Sequence, residues 1–342
     1  MLRLPPIELE TPETLEDAAK LIANGNVRLV AGGTDLWPNM KRRHQKAETV
    51  VSLMSIPGLD HVASEKGDMT IGATATLTRI IQNEHVRKRF PAFAKAVASI
   101  SSPPLRNMGT IGGNLCVDTR CTYYNQTEEW RRSIDYCLKE EGKICWVATK
   151  SPKCWAHSAS DSAPILCALD AGVKLVSATG ERELPLAEMY VDDGIDYLSK
   201  RADEIVTEVT VPAASDAAHC RSAFWKLRRR GSIDFSTMSV AAAVWMGADE
   251  VVTRASMYLG AVGSAPVPVA EVAAVLVGNK ITEEAIAEIA HVAHKIAQPM
   301  DNTDFAASWL GKMTEHYATA VLREIAGLPQ ERMPPRHFLQ VI

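Results

Sequence analysis

The sequence lacks any run of about eighteen apolar residues, the length that a membrane-spanning helix needs, so no span is expected. It also lacks a basic surplus. Lys and Arg number 37 against 41 Asp and Glu, a net charge of −4. Nucleic-acid binders carry clustered cations, so that class of partner is excluded. The N-terminal stretch MLRLPPIELETPETLEDA is acidic and broken by proline, unlike a secretory signal or transit peptide, and a cytoplasmic location is the expectation. Neither GxGxxG nor GxxxxGK[ST] occurs, which removes the Rossmann fingerprint and the Walker A loop. There is no C-x-x-C knuckle, no internal repeat and no low-complexity tract.

What is present is a chain of 342 residues, 46% hydrophobic, enough for two or three packed domains. Residues 14–24 read as an amphipathic helix with Leu15, Ala18, Ala19 and Ile22 on one face. Thr14 is its N-cap, Asp17 completes a capping box, and Gly25 is its stop. Strands are expected at Val27–Ala31, Thr49–Leu53 and Met69–Gly72, and helices at Leu77–Asn83 and Pro91–Ser99. After Thr110 the apolar periodicity stops. It resumes at Asp161 with a helix over SAPILCALDA, a strand over VKLVSA and another at Ile205–Val211. A second domain starts near Ser222, with strands at Val240–Met246 and Ser256–Val262 and helices over 282–297 and 303–326. Gly327 and Pro329 end the last helix.

Two Gly-Gly loops interrupt this pattern. The first is Val30-Ala31-Gly32-Gly33-Thr34-Asp35-Leu36 and the second is Thr110-Ile111-Gly112-Gly113-Asn114-Leu115. Glycine bares backbone N–H groups and permits positive φ, so such a loop can wrap a phosphate. Either alone is an ordinary turn; the pair points to a shared pyrophosphate.

Seven cysteines are present, and Cys116, Cys121, Cys137, Cys145, Cys154 and Cys167 crowd into about fifty residues. Clustered thiols in a chain of this kind suggest metal or redox chemistry before disulfides. Six of the 20 aromatics fall between Cys121 and Trp155, so this stretch is compact rather than a linker. From Cys121 the gaps are fifteen, seven and eight residues, which fit neither a zinc ribbon nor a ferredoxin. Thiolate suits both zinc and iron–sulfur clusters, so spacing does not identify the metal, and free thiols remain an alternative. The polar setting, the scarcity of aliphatics and the flanking Tyr136, Trp146 and Trp155 favour a metal staple. Cys167, in the apolar run ILCAL, is a core residue, and Cys220 has no assigned role.

The runs AGGTDL, SISSPPLRNMGTIGGNL, ASDSAPILCALDAGVKL and FWKLRRRGSIDFSTMSVAAAV resemble the flavoprotein subunit of the molybdenum hydroxylases, the xanthine dehydrogenase and carbon monoxide dehydrogenase family, over nearly the whole chain. The resemblance implies an α+β fold: two α/β FAD-binding subdomains of the vanillyl-alcohol-oxidase (PCMH) kind over residues 1–220, then a C-terminal flavoprotein α/β domain over 221–342. It implies that Val30 to Leu36 and Thr110, Ile111, Gly112, Gly113 and Asn114 cradle the FAD pyrophosphate. Ile100 would lie near the flavin, Asp161 would bind the ribose or ribityl chain, and Lys226 would reach toward the flavin. By residue type alone, Lys226 is a solvated cation in a basic run.

The segment 117–158 is an insert relative to most of that family. Its run NLCVDTRCTYYNQTEEWRR resembles the insert of the 4-hydroxybenzoyl-CoA reductase branch, which carries a [4Fe–4S] cluster. That resemblance implies Cys121, Cys137, Cys145 and Cys154 as ligands, Cys116 as a bystander tied to the second glycine loop, and Thr122 near the flavin. It implies a hetero-oligomer with a large molybdopterin-binding subunit and a small [2Fe–2S] subunit. Electrons would pass from ferredoxin through [4Fe–4S] and FAD to a site that dehydroxylates an aromatic CoA thioester; this chain itself would have no catalytic residue. Two alternatives stand: the FAD subunit of an aromatic or purine molybdenum hydroxylase, with electrons running outward, and a zinc-stapled scaffold subunit.

Overall fold

A computed structural model describes residues 2–23, 25–65, 67–212, 220–303 and 305–330. Three sheets carry the architecture. The first is parallel, in the order β1-β3-β2, from β1 (Glu8–Glu10), β2 (Val27–Val30) and β3 (Thr49–Ser52). The second is antiparallel, in the order β4-β5-β8-β6-β7, from β4 (Val62–Glu65), β5 (Asp68–Gly72), β6 (Gly172–Ser177), β7 (Gly180–Pro185) and β8 (Ile205–Val211). The third is antiparallel, in the order β12-β11-β10-β9, from β9 (Cys220–Leu227), β10 (Met238–Met246), β11 (Val252–Gly260) and β12 (Val267–Pro268).

The first helix, Leu15–Ile22, is built as its sequence dictates. Thr14 Oγ1 accepts from Asp17 N at 3.1 Å, and Ala18, Ala19 and Ile22 are buried. Its expected last residue, 24, lies outside the described residues. β10 is buried along its whole length because it serves two cores by strict alternation. Ala241, Ala243 and Trp245 face the core that holds the helix Ala163–Ala168, whereas Val240, Ala242, Val244 and Met246 face the helices Glu283–Ile296 and Ala307–Ala326. The alanines let the helix 163–168 come close. Cys167 is in that core, as expected. Gly327 ends the last helix in the left-handed region at φ 71°, as its position predicts.

Some boundaries differ. The last helix starts at Ala307 rather than 303, because Thr303 Oγ1 accepts from Phe305 N and holds the chain in a turn; residue 304 is outside the described residues. Among the elements that went unread are the short strands β1, β4 and β12, the eight-residue β9, and the helices Leu36–Lys41, Glu84–Arg89, Pro103–Arg106 and Glu128–Ser133. Among the described residues no helix is long and apolar enough to cross a membrane.

Each glycine loop packs closely against a neighbouring segment. A Cβ on Gly32 would lie 1.7 Å from the Met108 carbonyl oxygen, and one on Gly112 would lie 2.8 Å from Ala73 Cβ and 2.9 Å from its oxygen. Gly32→Ala therefore forces the segments 31–34 and 108–110 apart. A loss of about 1–3 kcal/mol is expected, the usual cost of overpacking, and urea denaturation of the variant measures it.

Candidate functional site

A cleft of about 1090 Å³ opens where the first loop, the second loop and the insert converge, with residues 229–237 of the C-terminal domain on its far side. Its size suits a large organic ligand. The first loop leaves the end of β2. Gly33 sits at φ 68°, where a Cβ would strike the Trp37 ring, so only glycine fits. The backbone N–H groups of Gly32, Gly33, Thr34 and Asp35 have no acceptor among the described residues. They form a short row of donors at the head of the helix Leu36–Lys41, suited to an anion.

The second loop is of another kind. Ile111–Leu115 is a helical turn capped by Thr110, whose Oγ1 accepts from Gly113 N. The N–H groups of Ile111, Gly112 and Asn114 go to Ala75, Ala73 and Thr110 carbonyls. Its amides are thus already used, and its glycines serve close approach instead. Gly113 is exposed, and a Cβ there would meet only Thr110 Oγ1, at 3.1 Å. Asn114 Oδ1 accepts from Ser160 Oγ, Ser162 N and Ser162 Oγ, tying this turn to the segment that carries Asp161.

Of the residues expected around the cofactor, Val30 to Leu36, Ile100, Thr110, Gly112, Gly113, Asn114, Thr122 and Asp161 line this cleft. Ile111 does not: it is fully buried in the core. Lys226 does not line it either. Its three ammonium protons go to Asp161 Oδ2 (2.6 Å), Ser99 O (3.1 Å) and Asp234 O (3.0 Å). It is buried rather than solvated, and it holds Asp161 in place. Burial pushes the Asp161 carboxyl up, against the opposing pull of Lys226. Asp161 Oδ1 remains buried without a partner, as do Arg120 Nη1 and Ser236 Oγ, and all three residues line the cleft. An acceptor, a donor and a hydroxyl left without partners suit a ligand rich in hydroxyls and phosphate oxygens.

The sequence reading missed several lining residues. Ser101 sits at φ 54°, a rare conformation for a residue with a Cβ, just after Ile100. Phe235, Tyr197 and Arg120 carry no local motif; only the topology brings them to the cleft.

The insert leaves the domain at a stem where Arg120 and His157 exchange backbone hydrogen bonds, both 2.8 Å. It is docked firmly. Tyr124 Oη donates to His44 O at 2.8 Å and Arg131 Nη2 to Arg42 O at 2.9 Å. Lys139 Nζ donates to Gly194 O at 2.5 Å. Arg131, 1% exposed, also pairs with Glu128 and Glu140. Cys121, Cys137 and Cys154 share one small cluster with Tyr124 and Ala156, covered by Tyr123, Trp146 and Val147. Cys145 joins through its hydrogen bond with Cys154. Of the aromatics expected as a shield, Trp146 fills that role. Tyr136 donates to Glu128 and Trp155 to Ser151 instead.

Each of the four thiols is met by backbone N–H groups. Tyr123 and Tyr124 face Cys121, and Lys139 and Glu140 face Cys137. Trp155, Ala148 and Val147 face Cys145, and Ala156 faces Cys154 at 3.4 Å. Burial pushes Cys121 up to about 11, and the Cys154 thiol, donating to Cys145, pulls the latter down. Cys116 lies apart, beside the cleft, with burial raising its thiol against the nearby Lys200. Among the described residues, no three His, Cys, Asp or Glu side chains gather tightly enough for a single metal ion.

Comparison with known proteins agrees with this architecture. Residues 5–214 match the model of the FAD binding domain in molybdopterin dehydrogenase, and residues 222–325 match that of the CO dehydrogenase flavoprotein C-terminal domain. The nicotinate dehydrogenase FAD-subunit of Eubacterium barkeri is 29% identical over 297 residues, 86% of this chain and 87% of that one. The 6-hydroxypseudooxynicotine dehydrogenase complex subunit alpha of Paenarthrobacter nicotinovorans is 24% identical over 340 residues, 99% of each. Among solved structures, a chain of carbon monoxide dehydrogenase from Hydrogenophaga pseudoflava superimposes with a TM-score of 0.78 at 23% identity, over 95% of this chain and 99% of that one. The α+β fold, with an FAD-binding domain followed by a CO dehydrogenase flavoprotein C-terminal domain, is therefore the one expected, and the chain belongs to the family of FAD-binding subunits of the molybdopterin dehydrogenases.

Proposed function

We propose that this chain is the FAD-carrying electron-transfer subunit of a molybdenum hydroxylase, one that relays electrons and does not transform substrate. The observation that carries this reading is the cleft itself, with a row of free amides opposite an exposed glycine. Bound FAD would supply redox chemistry in one- or two-electron steps. Gly32 to Asp35 would hold its diphosphate by backbone N–H groups, and Gly113 would let it approach. Asp161, held by Lys226, would accept from a ribose or ribityl hydroxyl, and Ile100 and Thr122 would flank the ring system. A relay needs neighbours, so the native chain is expected to co-purify with a molybdopterin-binding subunit and a small [2Fe–2S] subunit. An isolated monomer, fully active on a substrate, would overturn this reading.

A second reading concerns the insert and rests on a separate observation, the four buried thiols met by backbone donors. We propose that Cys121, Cys137, Cys145 and Cys154 hold a [4Fe–4S] cluster. Hydrogen bonds to the sulfurs help set such a cluster's potential. The direction of flow is read differently from two features. The dehydrogenase names of the relatives favour electrons leaving the molybdenum site. The resemblance of the insert favours entry from ferredoxin and reduction of an aromatic CoA thioester. Reduced ferredoxin mixed with the assembled enzyme decides between them: rapid bleaching of the flavin supports entry, and no bleaching supports exit.

A further inference from the structure

Arg120 stands at the stem of the insert, in the residue before Cys121, and lines the cleft while only 6% exposed. Its guanidinium is enclosed. Nη2 pairs with Asp35 Oδ1 of the first glycine loop, and the Phe235 ring lies 4.7 Å from Cζ. The backbone on the same residue is fixed by the bridge to His157. Nη1 is buried and has no acceptor among the described residues. A buried charged donor left without an acceptor is costly, and a guanidinium is a two-armed fork matched to carboxylate and phosphate oxygens. One arm is taken by Asp35. The other is left without a partner, in a residue that lines the same cleft as Gly32 to Asp35.

We propose that Arg120 Nη1 donates to a diphosphate oxygen of the cleft's occupant, so that the insert completes the nucleotide site. The idea rests on the reading of the cleft as an FAD site. Charge supports it. Asp35 ends the row of free amides, and its carboxylate would repel a diphosphate placed there; the paired guanidinium offsets that repulsion. Of the nearby cations, Lys226 is committed to Asp161 and Lys200 to the carbonyls of Arg201 and Glu204, whereas Arg28 and Arg42 line the cleft but sit on other elements than the insert. The insert would then both carry its thiol nest and supply one arm of the flavin site, from adjacent residues.

The test uses the full-length chain, stripped of flavin and titrated with FAD, with ADP as a competitor that carries the diphosphate but no flavin. Arg120→Gln is expected to weaken both FAD and ADP about ten- to hundredfold, the worth of a charge-assisted hydrogen bond. Arg120→Lys keeps the charge and the pair with Asp35 but loses the second arm, and should weaken both to a smaller degree. If Arg120→Gln does not fold, Arg120→Lys decides. Unchanged FAD and ADP affinity in the folded variant overturns the proposal. Weaker FAD with unchanged ADP overturns it as well, because the contact would then be to the flavin. Failure of the wild-type chain to bind FAD would instead refute the reading of the cleft.

Discussion

Gly113→Val should yield a folded protein that has lost its flavin. The position combines two properties that no other glycine of the loops shares. It faces open space, since a Cβ there meets only Thr110 Oγ1 at 3.1 Å, and its backbone is helical, with no need for positive φ. Valine is no worse than glycine in a helical turn, so the turn 111–115 should survive. Gly32 and Gly112 differ, because there a Cβ meets backbone or a neighbouring residue at 2.9 Å or less, and substitution damages the fold itself. At Gly113 three added carbons occupy the face from which a diphosphate must be approached. A loss of more than about a hundredfold in FAD affinity is expected, since steric overlap at a close-packed contact exceeds the roughly 1–3 kcal/mol of tolerated overpacking. The visible flavin band relative to the protein band, with a melting curve as control, reads the result. Stoichiometric FAD in a folded Gly113→Val protein would remove the second loop from the site.

The parts of this protein that could be read from its sequence are those governed by local rules. The Thr14 cap, the strand over Val240–Met246 and the Gly327 stop each depend on a few neighbouring residues, and each is where its pattern places it. The glycine loops were legible as a pair but not as two different devices. Nothing in the letters shows that Gly113 N is already bonded to Thr110 Oγ1 while the amides of the first loop stay free; that difference comes from the helical turn. Lys226 reads as one cation in a basic run, and only the pairing of β9 with β10 carries it to Asp161, 65 residues away. Arg120 gave no signal because its partners, Asp35 and Phe235, lie 85 residues before it and more than a hundred after it. Short elements such as β1 and β12 escaped because two or three residues carry no period to detect.

The thiol nest is where the second large effect is expected. Cys121→Ser, Cys137→Ser, Cys145→Ser and Cys154→Ser should each lose most of the iron, while Cys116→Ser should keep it. Cys121, Cys137 and Cys154 sit in one small cluster inside the insert and Cys145 meets Cys154, each beside backbone N–H groups that stabilise a thiolate. Cys116 ends the turn 111–115 on the cleft side, and its carbonyl is taken by Tyr197 Oη at 3.1 Å. No described element turns it toward the other thiols. Serine offers a harder, more basic oxygen that ligates iron poorly, so one replacement should cut bound iron severalfold or more. Because the insert has so small an apolar core, losing a metal staple should also loosen it. The variant would then be cleaved faster by protease within 117–158. FAD should largely remain in Cys145→Ser, which does not line the cleft, whereas Cys121 lines it beside Arg120 and its replacement should weaken flavin binding too. Iron analysis and low-temperature EPR of the reduced proteins give the readout. A normal cluster signal in Cys145→Ser, or its loss in Cys116→Ser alone, would sink the ligand set; zinc in place of iron throughout would leave the nest as a structural staple and end the redox reading of the insert.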